Sequence, residues 1–198
     1  MAYIYSIIKY FPLYEKNRKF ENSIRVRLGS SPDYKQVFDT PELANMASVS
    51  ILIEDSDHAV GIRCKSEEVA VSSGNYSATV TATPSESDYA KDNPFLECAK
   101  RAVAEELGIE DINLSFQGLV IAKQKMQPVF LFQCKLNSPW SSITSGAKNK
   151  RYYSESPTQL LYIVPSSKLM GFIKRKNMTD AAAFQIWKHC TEGKADDN

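Results

Sequence analysis

Apolar runs of strand length, separated by polar turns, cover much of the sequence. The run Ser48–Ile53 is apolar and β-branched, the polar stretch 54–57 follows it, and Ala59–Cys64 resumes the apolar pattern. This arrangement predicts a β-hairpin. Two later runs, Leu114–Ala122 and Pro128–Leu136, enclose the polar residues 123–127 and predict a second hairpin. The run Leu160–Val164 predicts one more strand.

After Asn93-Pro94 the apolar residues recur at the spacing of an α-helix. Asn93 can cap the first turn, Pro94 suits the first helical position, and Gly108 can end the helix in a left-handed conformation, so the helix is predicted over 94–107. One apolar stripe should face the sheet and consists of Leu96, Ala99, Val103 and Leu107. A neighbouring face, formed by Cys98, Ala102, Glu105 and Glu106, places two carboxylates side by side.

The remaining segments are predicted from composition. Residues 1–44 contain two strand-like runs, Tyr3–Tyr10 and Ser23–Leu28, and are interpreted as a strand-rich extension packed on a main domain at 45–198. Residues 69–83 predict strand or loop with a turn at Gly74-Asn75, and the polar region 137–157 predicts a long loop. Helices are expected over 166–174 and from Met178 to about His189, the latter capped by Thr179 or Asn177.

Charge and cysteine content narrow the class of protein. The chain has 198 residues and a net charge of +1, so no global field favours nucleic acid or an anionic membrane. The four cysteines have no spacing typical of a zinc site, and no apolar run reaches the length of a membrane helix. The start of the chain lacks the features of a signal peptide. We therefore expect a cytoplasmic protein with a small-molecule partner, no membrane association and no nucleic acid.

The residues around the predicted helix resemble the Nudix box, G-x5-E-x7-R-E-U-x-E-E-x-G-U, where U is a bulky apolar residue. The right-hand half is matched in register by Arg101, Val103, Glu105, Glu106, Gly108 and Ile109. Arg63, the stretch 69–71 and Tyr76 look like the segment that leads into such a box. The resemblance covers roughly residues 47–136.

The resemblance implies an α/β fold, a Nudix-type α/β/α sandwich with a mixed sheet, here with an N-terminal strand extension and C-terminal helices. It implies that Mg²⁺ or Mn²⁺ bridges Glu105 and Glu106 to a substrate diphosphate, and that Arg101 orients the glutamates. Arg63 and Tyr76 are the candidate substrate-binding residues. Hard carboxylate oxygens suit these ions, and the ion offsets phosphate charge.

Three positions depart from the motif. Ala102 stands where the family has the first glutamate of REUxEE, Asn93 where the box has its earlier glutamate, and Ser87 where it has glycine. A longer loop at 83–92 would let another acid serve, and the candidates are Glu86, Asp88 and Asp92.

Other reactive side chains are given structural interpretations. His58 lies beside a hairpin turn and His189 near the end of the last helix, so both are interpreted as surface or packing residues. Cys98 is interpreted as a buried thiol. The basic and aromatic residues Lys148, Lys150, Arg151, Tyr152 and Tyr153 could hold phosphate and stack a base, but a solvated loop is the favoured interpretation.

Three functions fit these observations. The first is a metal-dependent hydrolase of nucleoside diphosphate-linked or related diphosphate substrates. The second is a degenerate Nudix module that binds a nucleotide or a protein partner without chemistry. The third is an enzyme similar to isopentenyl diphosphate isomerase, because Glu106-Leu107-Gly108-Ile109 matches the end of its helix; that enzyme needs a cysteine and histidines before the helix, and residues 76–92 contain none.

Overall fold

The computed structural model describes residues 47–64, 74–122, 127–147 and 160–192. Seven strands form one mixed sheet: β1 Ser48–Glu54, β2 Ala59–Cys64, β3 Tyr76–Ser77, β4 Val80–Ala82, β5 Ser115–Ala122, β6 Gln127–Lys135 and β7 Leu160–Pro165. The helices are α1 Glu86–Tyr89, α2 Pro94–Leu107, α3 Trp140–Ala147, α4 Leu169–Arg175 and α5 Asp180–Glu192, with a 3₁₀ turn at Ser166–Lys168 before α4.

Strand β1 lies at the centre of the sheet. It pairs in parallel with β6 from Ser48–Val129 to Glu54–Lys135, and β6 pairs antiparallel with β5. On its other side β1 pairs antiparallel with β2 near the hairpin turn and with β4 further back. Strand β7 runs antiparallel along the whole of β2.

The segment β3–β4 is inserted where β1 and β2 diverge. Thr79 bridges the gap, because its hydroxyl donates to the carbonyl of Gly61 at 2.6 Å and accepts from the amide of Ile53 at 2.9 Å. The side chain of Thr79 therefore replaces backbone pairing that the two strands cannot make directly.

Each face of the sheet is covered by helices. On one face α2 packs over alternate residues of β1, including Val49, Ile51 and Ile53. On the other face Leu52 packs with Ala182 and Ile186 of α5. Alternate residues of a strand point to opposite faces, so β1 contributes to both cores and is buried nearly throughout.

A close contact fixes α3 against the hairpin. The indole of Trp140 donates from Nε1 to the carbonyl of Ala59 at 2.9 Å, and its backbone amide donates to Oδ2 of Asp55 at 2.9 Å. A Cβ added at Gly61 would lie 2.8 Å from the Trp140 ring. Glycine is required at this position because any larger residue would collide with the indole ring.

The predicted architecture is confirmed: the fold is α/β, with a mixed sheet between two helical layers. Both hairpins, the strand at 160–165 and the helix over 94–107 are observed. The predicted runs 3–10, 23–28, 69–71 and 148–153 lie outside the described residues. Within the described residues, no helix is long and apolar enough to cross a bilayer.

Two expectations about loops were wrong. The segment 83–92 contains the short helix α1, and the region 137–157 contains α3 at Trp140–Ala147, with residues 148–157 outside the described residues. In α3 a tertiary contact outweighs weak local propensity, whereas α1 has both a tertiary contact and a local capping box of Ser85 and Asp88. Asp88 anchors α1 through Arg101, and Trp140 anchors α3 through its contacts with the hairpin.

Candidate functional site on helix α2

Helix α2 forms with the ends that the sequence predicts. The side chain of Asn93 accepts a hydrogen bond from the amide of Leu96, which satisfies one of the free donors of the first turn. Gly108 has φ 73° and ends the helix in the left-handed region. The caps set the length of α2, whereas burial of Phe95, Ala99 and Val103 against the sheet sets its rotation and so the face on which Glu105 and Glu106 lie.

Arg101 joins three parts of this site. Its Nη2 lies 2.7 Å from Oδ2 of Asp88, its Nη1 lies 2.9 Å from Oε2 of Glu105, and Nη2 also donates to the carbonyl of Thr83 at 3.3 Å. The hydrogen bonds to Asp88 and the negative charges around it raise the pKa of Arg101. The guanidinium therefore stays charged and holds Glu105 in place.

Asp88 is the acid in the segment 83–92 that reaches Arg101. It also closes a capping box at the start of α1, where Oδ2 accepts from the backbone amide of Ser85 at 2.7 Å and from its hydroxyl at 2.8 Å. Burial acts to raise the pKa of Asp88, but the hydrogen bonds from Arg101 and Ser85 outweigh burial and lower it. Asp88 thus holds Arg101 in place from the segment 83–92, which precedes α2 in the chain.

Glu106 faces the sheet and pairs with Arg63. Nη2 of Arg63 lies 3.0 Å from Oε2 of Glu106, and the two side chains are 14% and 15% exposed. Nε of Arg63 donates to the carbonyl of Thr79. The structure thus brings together two residues that the sequence assigned to different ligands, Arg63 to the substrate and Glu106 to the metal.

Ala102 lies in the core beneath the glutamates. It is 2% exposed and belongs to the cluster of apolar residues between α2 and the sheet. The predicted face of Cys98, Ala102, Glu105 and Glu106 is therefore only partly open, because position 102 is buried against the strands whereas Glu105 is 40% exposed. Cys98 is also buried, as expected, and burial raises the pKa of its thiol to about 12.

Tyr76 lies on the other face of the sheet. Its ring packs edge-on against Tyr162 and Phe172, with centroid distances of 5.5 and 5.2 Å, and the Nζ of Lys176 lies 5.3 Å above it. Among the predicted site residues, the structure gathers Arg63, Arg101, Glu105 and Glu106 and leaves Tyr76 apart from them.

Mg²⁺ and Mn²⁺ prefer several oxygen ligands in an octahedral arrangement. Within the ranges described, no three histidine, cysteine, aspartate or glutamate side chains are arranged to hold an ion. Glu105 and Glu106 each contact an arginine, and Ala102 offers no oxygen. A resident ion does not fit this donor set. Two adjacent carboxylates do suit an ion that arrives already coordinated by phosphate oxygens, because such an ion needs few protein ligands.

A second polar cluster, which the sequence reasoning missed, surrounds Glu54 at the end of β1. Its Oε1 lies 3.3 Å from Nδ1 of His58, accepts from the hydroxyl of Ser166 at 3.1 Å, and lies 4.0 Å from Nε2 of His189. Nζ of Lys135 is 3.4 Å from Oε2, which accepts no hydrogen bond within the described residues. The unusual feature of Glu54 is its burial, at 4% exposed, and the sequence does not show it because an acidic residue at the end of an apolar run ordinarily lies in a solvated turn.

This Glu54 cluster lies beside a cleft of about 460 Å³ on the α5 side of the sheet, with walls that include Asn113, Gln117, Gln133, Lys135, His189 and Glu192. Burial lowers the pKa of His189. The negative charge of Glu54 acts to raise it but has the smaller effect. Nε2 of Gln133 lies 2.8 Å from Nδ1 of His189. A neutral ring that accepts at Nδ1 fits both observations. His189 is thus partly buried and hydrogen-bonded, which agrees with the packing interpretation, whereas His58 is 78% exposed.

Solved structures of similar fold are MutT/Nudix proteins. A mutT/nudix family protein from Listeria innocua matches with a TM-score of 0.55 and 11% identity, over 76% of this chain and 97% of that one. A MutT structure from work on Aliivibrio salmonicida and Vibrio cholerae matches with a TM-score of 0.52 and 11% identity, over 74% and 98%. A MutT protein from Methanosarcina mazei Go1 matches with a TM-score of 0.51 and 15% identity, over 75% and 94%.

No protein-family model matches the sequence, and no curated protein sequence matches it either. The likeness is therefore one of fold: the described part of the chain has the fold of MutT/Nudix proteins. Helix α2, which resembles the second half of a Nudix box, holds its two glutamates beside two arginines in that fold.

Proposed function

We propose that the protein is a Nudix-type hydrolase of nucleoside diphosphate-linked or related diphosphate substrates, and that the substrate arrives as its Mg²⁺ or Mn²⁺ complex. The ion pair of Arg63 and Glu106 is the observation that supports this proposal most directly. A metal-bound diphosphate offers an anionic oxygen for the arginine and a cation for the glutamate, so both partners gain a new contact when the pair opens.

The charges of the site favour such a complex over a free diphosphate. The site contains two guanidinium groups, those of Arg63 and Arg101. They pair with three carboxylates, those of Asp88, Glu105 and Glu106, so the carboxylates are in excess. A free diphosphate would be repelled by the excess carboxylate. A complexed one brings its own positive charge, which the carboxylates attract.

The residues of α2 have separate parts in this proposal. Glu106 would hold a cation that accompanies the substrate, and such a cation would offset the charge of the phosphates. Arg63 turns from Glu106 to a phosphate oxygen and remains anchored to the carbonyl of Thr79. Glu105 is 40% exposed and held by Arg101, so it is the carboxylate placed to accept a proton from an attacking water.

The test is a screen of the purified chain against nucleoside di- and triphosphates, sugar nucleotides and dinucleotides with Mg²⁺ or Mn²⁺, with product release as the readout. For a substrate found there, Glu105→Gln is expected to lower kcat by about 100-fold or more, the usual scale for a lost general base. Glu97→Gln is the matched control, since Glu97 lies on the same helix and pairs only at the surface with Lys100. Equal activity of Glu105→Gln and Glu97→Gln would remove Glu105 from the reaction.

A second candidate is a module that binds the same ligand without hydrolysing it. The buried position of Ala102 favours it, because no side chain there can assist the chemistry. Calorimetry with the same panel separates the candidates. Binding that needs Arg63 and Glu106 but yields no product supports the module. Absence of both binding and product release would mean that α2 is not a diphosphate site.

A further inference from the structure

One carboxylate oxygen of the Glu54 cluster lacks a hydrogen-bond donor. The Glu54 side chain is 5% exposed, and its Oε2 receives no hydrogen bond from any residue that the structure describes. Nζ of Lys135 lies 3.4 Å from Oε2 and supplies positive charge without a hydrogen bond. A buried polar atom without a donor costs free energy, so its presence calls for a bound group that would satisfy it.

His189 presents a donor to the same carboxylate across a gap. Its Nδ1 accepts from Gln133, so the proton of the neutral ring is on Nε2. That nitrogen lies 4.0 Å from Oε1 of Glu54, which is too long for a hydrogen bond. A group that accepts from His189 and donates to Glu54 would join the two side chains. A hydroxyl has both capacities, whereas an ammonium group only donates and a carboxylate only accepts.

The cleft on the α5 side of the sheet adjoins this carboxylate. Its volume is about 460 Å³, and Lys135 and His189 belong both to its walls and to the Glu54 cluster. The Lys135 side chain is 68% exposed, so it can move away from Glu54 without loss of core packing. Pockets for small ligands usually have volumes of about 300–1,000 Å³. The cleft is therefore large enough for a small molecule that reaches Glu54 when Lys135 moves.

Amide side chains form much of the cleft wall. Nε2 of Gln117 donates to the hydroxyl of Ser115 at 2.9 Å, and Nε2 of Gln133 donates to His189 at 2.8 Å. These bonds hold both glutamines in place, and no described residue donates to the Oε1 of either one. Each Oε1 can therefore accept from a ligand, and the amide of Asn113 in the same wall can donate as well as accept.

Positive and negative charges balance around the cleft. Lys135 and Glu192 contribute one charge of each sign to its walls, and their partners Glu54 and Lys188 add another of each sign. An anionic ligand would meet two carboxylates and a cationic ligand would meet two ammonium groups, so neither sign of ligand charge gains overall. This balance favours an uncharged ligand.

We propose that the cleft binds an uncharged polyhydroxylated molecule of the sugar class, with one hydroxyl between Glu54 and His189 and others on Gln117 and Gln133. The site lies on the face of the sheet opposite α2. It is therefore separate from the diphosphate site proposed on α2 and does not depend on that proposal.

The first test is a titration of the full chain with D-ribose, D-glucose and D-galactose, followed by NMR of the side-chain amides. A neutral sugar should shift the signals of Gln117 and Gln133 to saturation and bind more tightly than D-glucosamine or D-gluconate. Gln133→Ala should lower the affinity about tenfold, the scale of one lost hydrogen bond. Gln127→Ala, on the same face at the other end of β6, is the matched control and should leave it unchanged. No saturable shift with any neutral sugar, or equal affinities of the two variants, overturns the proposal.

The second test concerns Glu54 itself. Glu54→Gln replaces a charged acceptor with an amide and should lower the affinity for the sugar by about tenfold or more, because hydrogen bonds to charged groups are the stronger ones. His58→Gln, which changes an exposed neighbour of the same carboxylate, should bind as wild type does. If Glu54→Gln does not fold, Glu54→Asp takes its place, since it keeps the charge but withdraws the carboxylate from the gap. Unchanged affinity in the folded Glu54 variant contradicts the proposal.

A crystal structure of the free protein and of crystals soaked in the sugar gives an independent readout. Sugar density with a hydroxyl between Glu54 and His189 supports the proposal. A single water molecule in that gap, which the sugar does not displace, would show that water alone satisfies Glu54 and would overturn it.

Discussion

Arg63 of β2 and Glu106 of α2 form an ion pair whose side chains are only 14% and 15% exposed. Removing the charge of Glu106 leaves the guanidinium partly buried without its counter-charge. Glu106→Gln should therefore lower the free energy of unfolding by about 1–3 kcal/mol, less than for a fully buried pair. Urea denaturation measures it. Glu97→Gln breaks an exposed pair and should cost less than about 0.5 kcal/mol. Equal losses in the two variants would contradict the structural role of the pair.

Ala102→Glu should destabilise the fold, since position 102 is 2% exposed and lies among apolar residues. A carboxylate forced into that position should cost about 3 kcal/mol or more. The readout is the melting temperature with and without Mn²⁺. Ala104→Glu, at a half-buried position on the same helix, is the control and should melt close to wild type. A folded Ala102→Glu variant that Mn²⁺ stabilises would show instead that position 102 opens into the ion's site.

Asp88→Asn should weaken both the start of α1 and the support of Arg101. Loss of a charged pair and a capping box corresponds to about 2–3 kcal/mol at neutral pH. Because the folded pKa of Asp88 is lowered, its contribution is complete above the ordinary value of 3.8 and is lost as the pH falls through the folded value. The two proteins should therefore converge in stability at strongly acidic pH in urea titrations. Asp92→Asn, an exposed change nearby, should show no such pH-dependent difference.

His189 should make the protein less stable in mild acid. Its folded pKa lies below 6.5 because the ring is buried, so below pH 6.5 the unfolded chain takes up a proton that the folded one resists. The free energy of unfolding should fall by about 1 kcal/mol between pH 7.5 and 5.5, a drop that His189→Gln should reduce. His58→Gln, at an exposed ring, should retain the drop. A drop of the same size in His189→Gln would assign it to other groups.

The sequence pattern was sufficient to predict the helices and strands that are determined by residues close to them in the sequence. Asn93, Pro94 and Gly108 define α2, and the polar residues between the apolar runs define both hairpins. The pattern was insufficient where a contact with a distant part of the chain determines whether an element forms. Helix α3 forms because the Trp140 side chain packs on Gly61, 79 residues earlier in the chain, and nothing near Trp140 in the sequence indicates that contact.

The sequence predicted which residues form the candidate site better than it predicted which of them form ion pairs. Arg101 and Glu105 are four residues apart, so their ion pair follows from helical spacing. The partner of Glu106 depends on how α2 is rotated over the sheet, and that rotation also buries Ala102. The Glu54 cluster joins residues from five separate elements, and no sequence spacing relates them.

The parallel pairing of β1 with β6 imposes an order on how the chain matures during synthesis. Ser48 meets Val129, which is made 81 residues later. At about 5–20 residues per second, the ribosome needs roughly 4 to 16 seconds to supply that partner. In this interval β1, which is buried at every residue but Ser48 in the finished fold, has the β1–β2 hairpin on one side and an open edge on the other. The emerging chain therefore depends most on protection by chaperones after β1 leaves the ribosome and before β6 does.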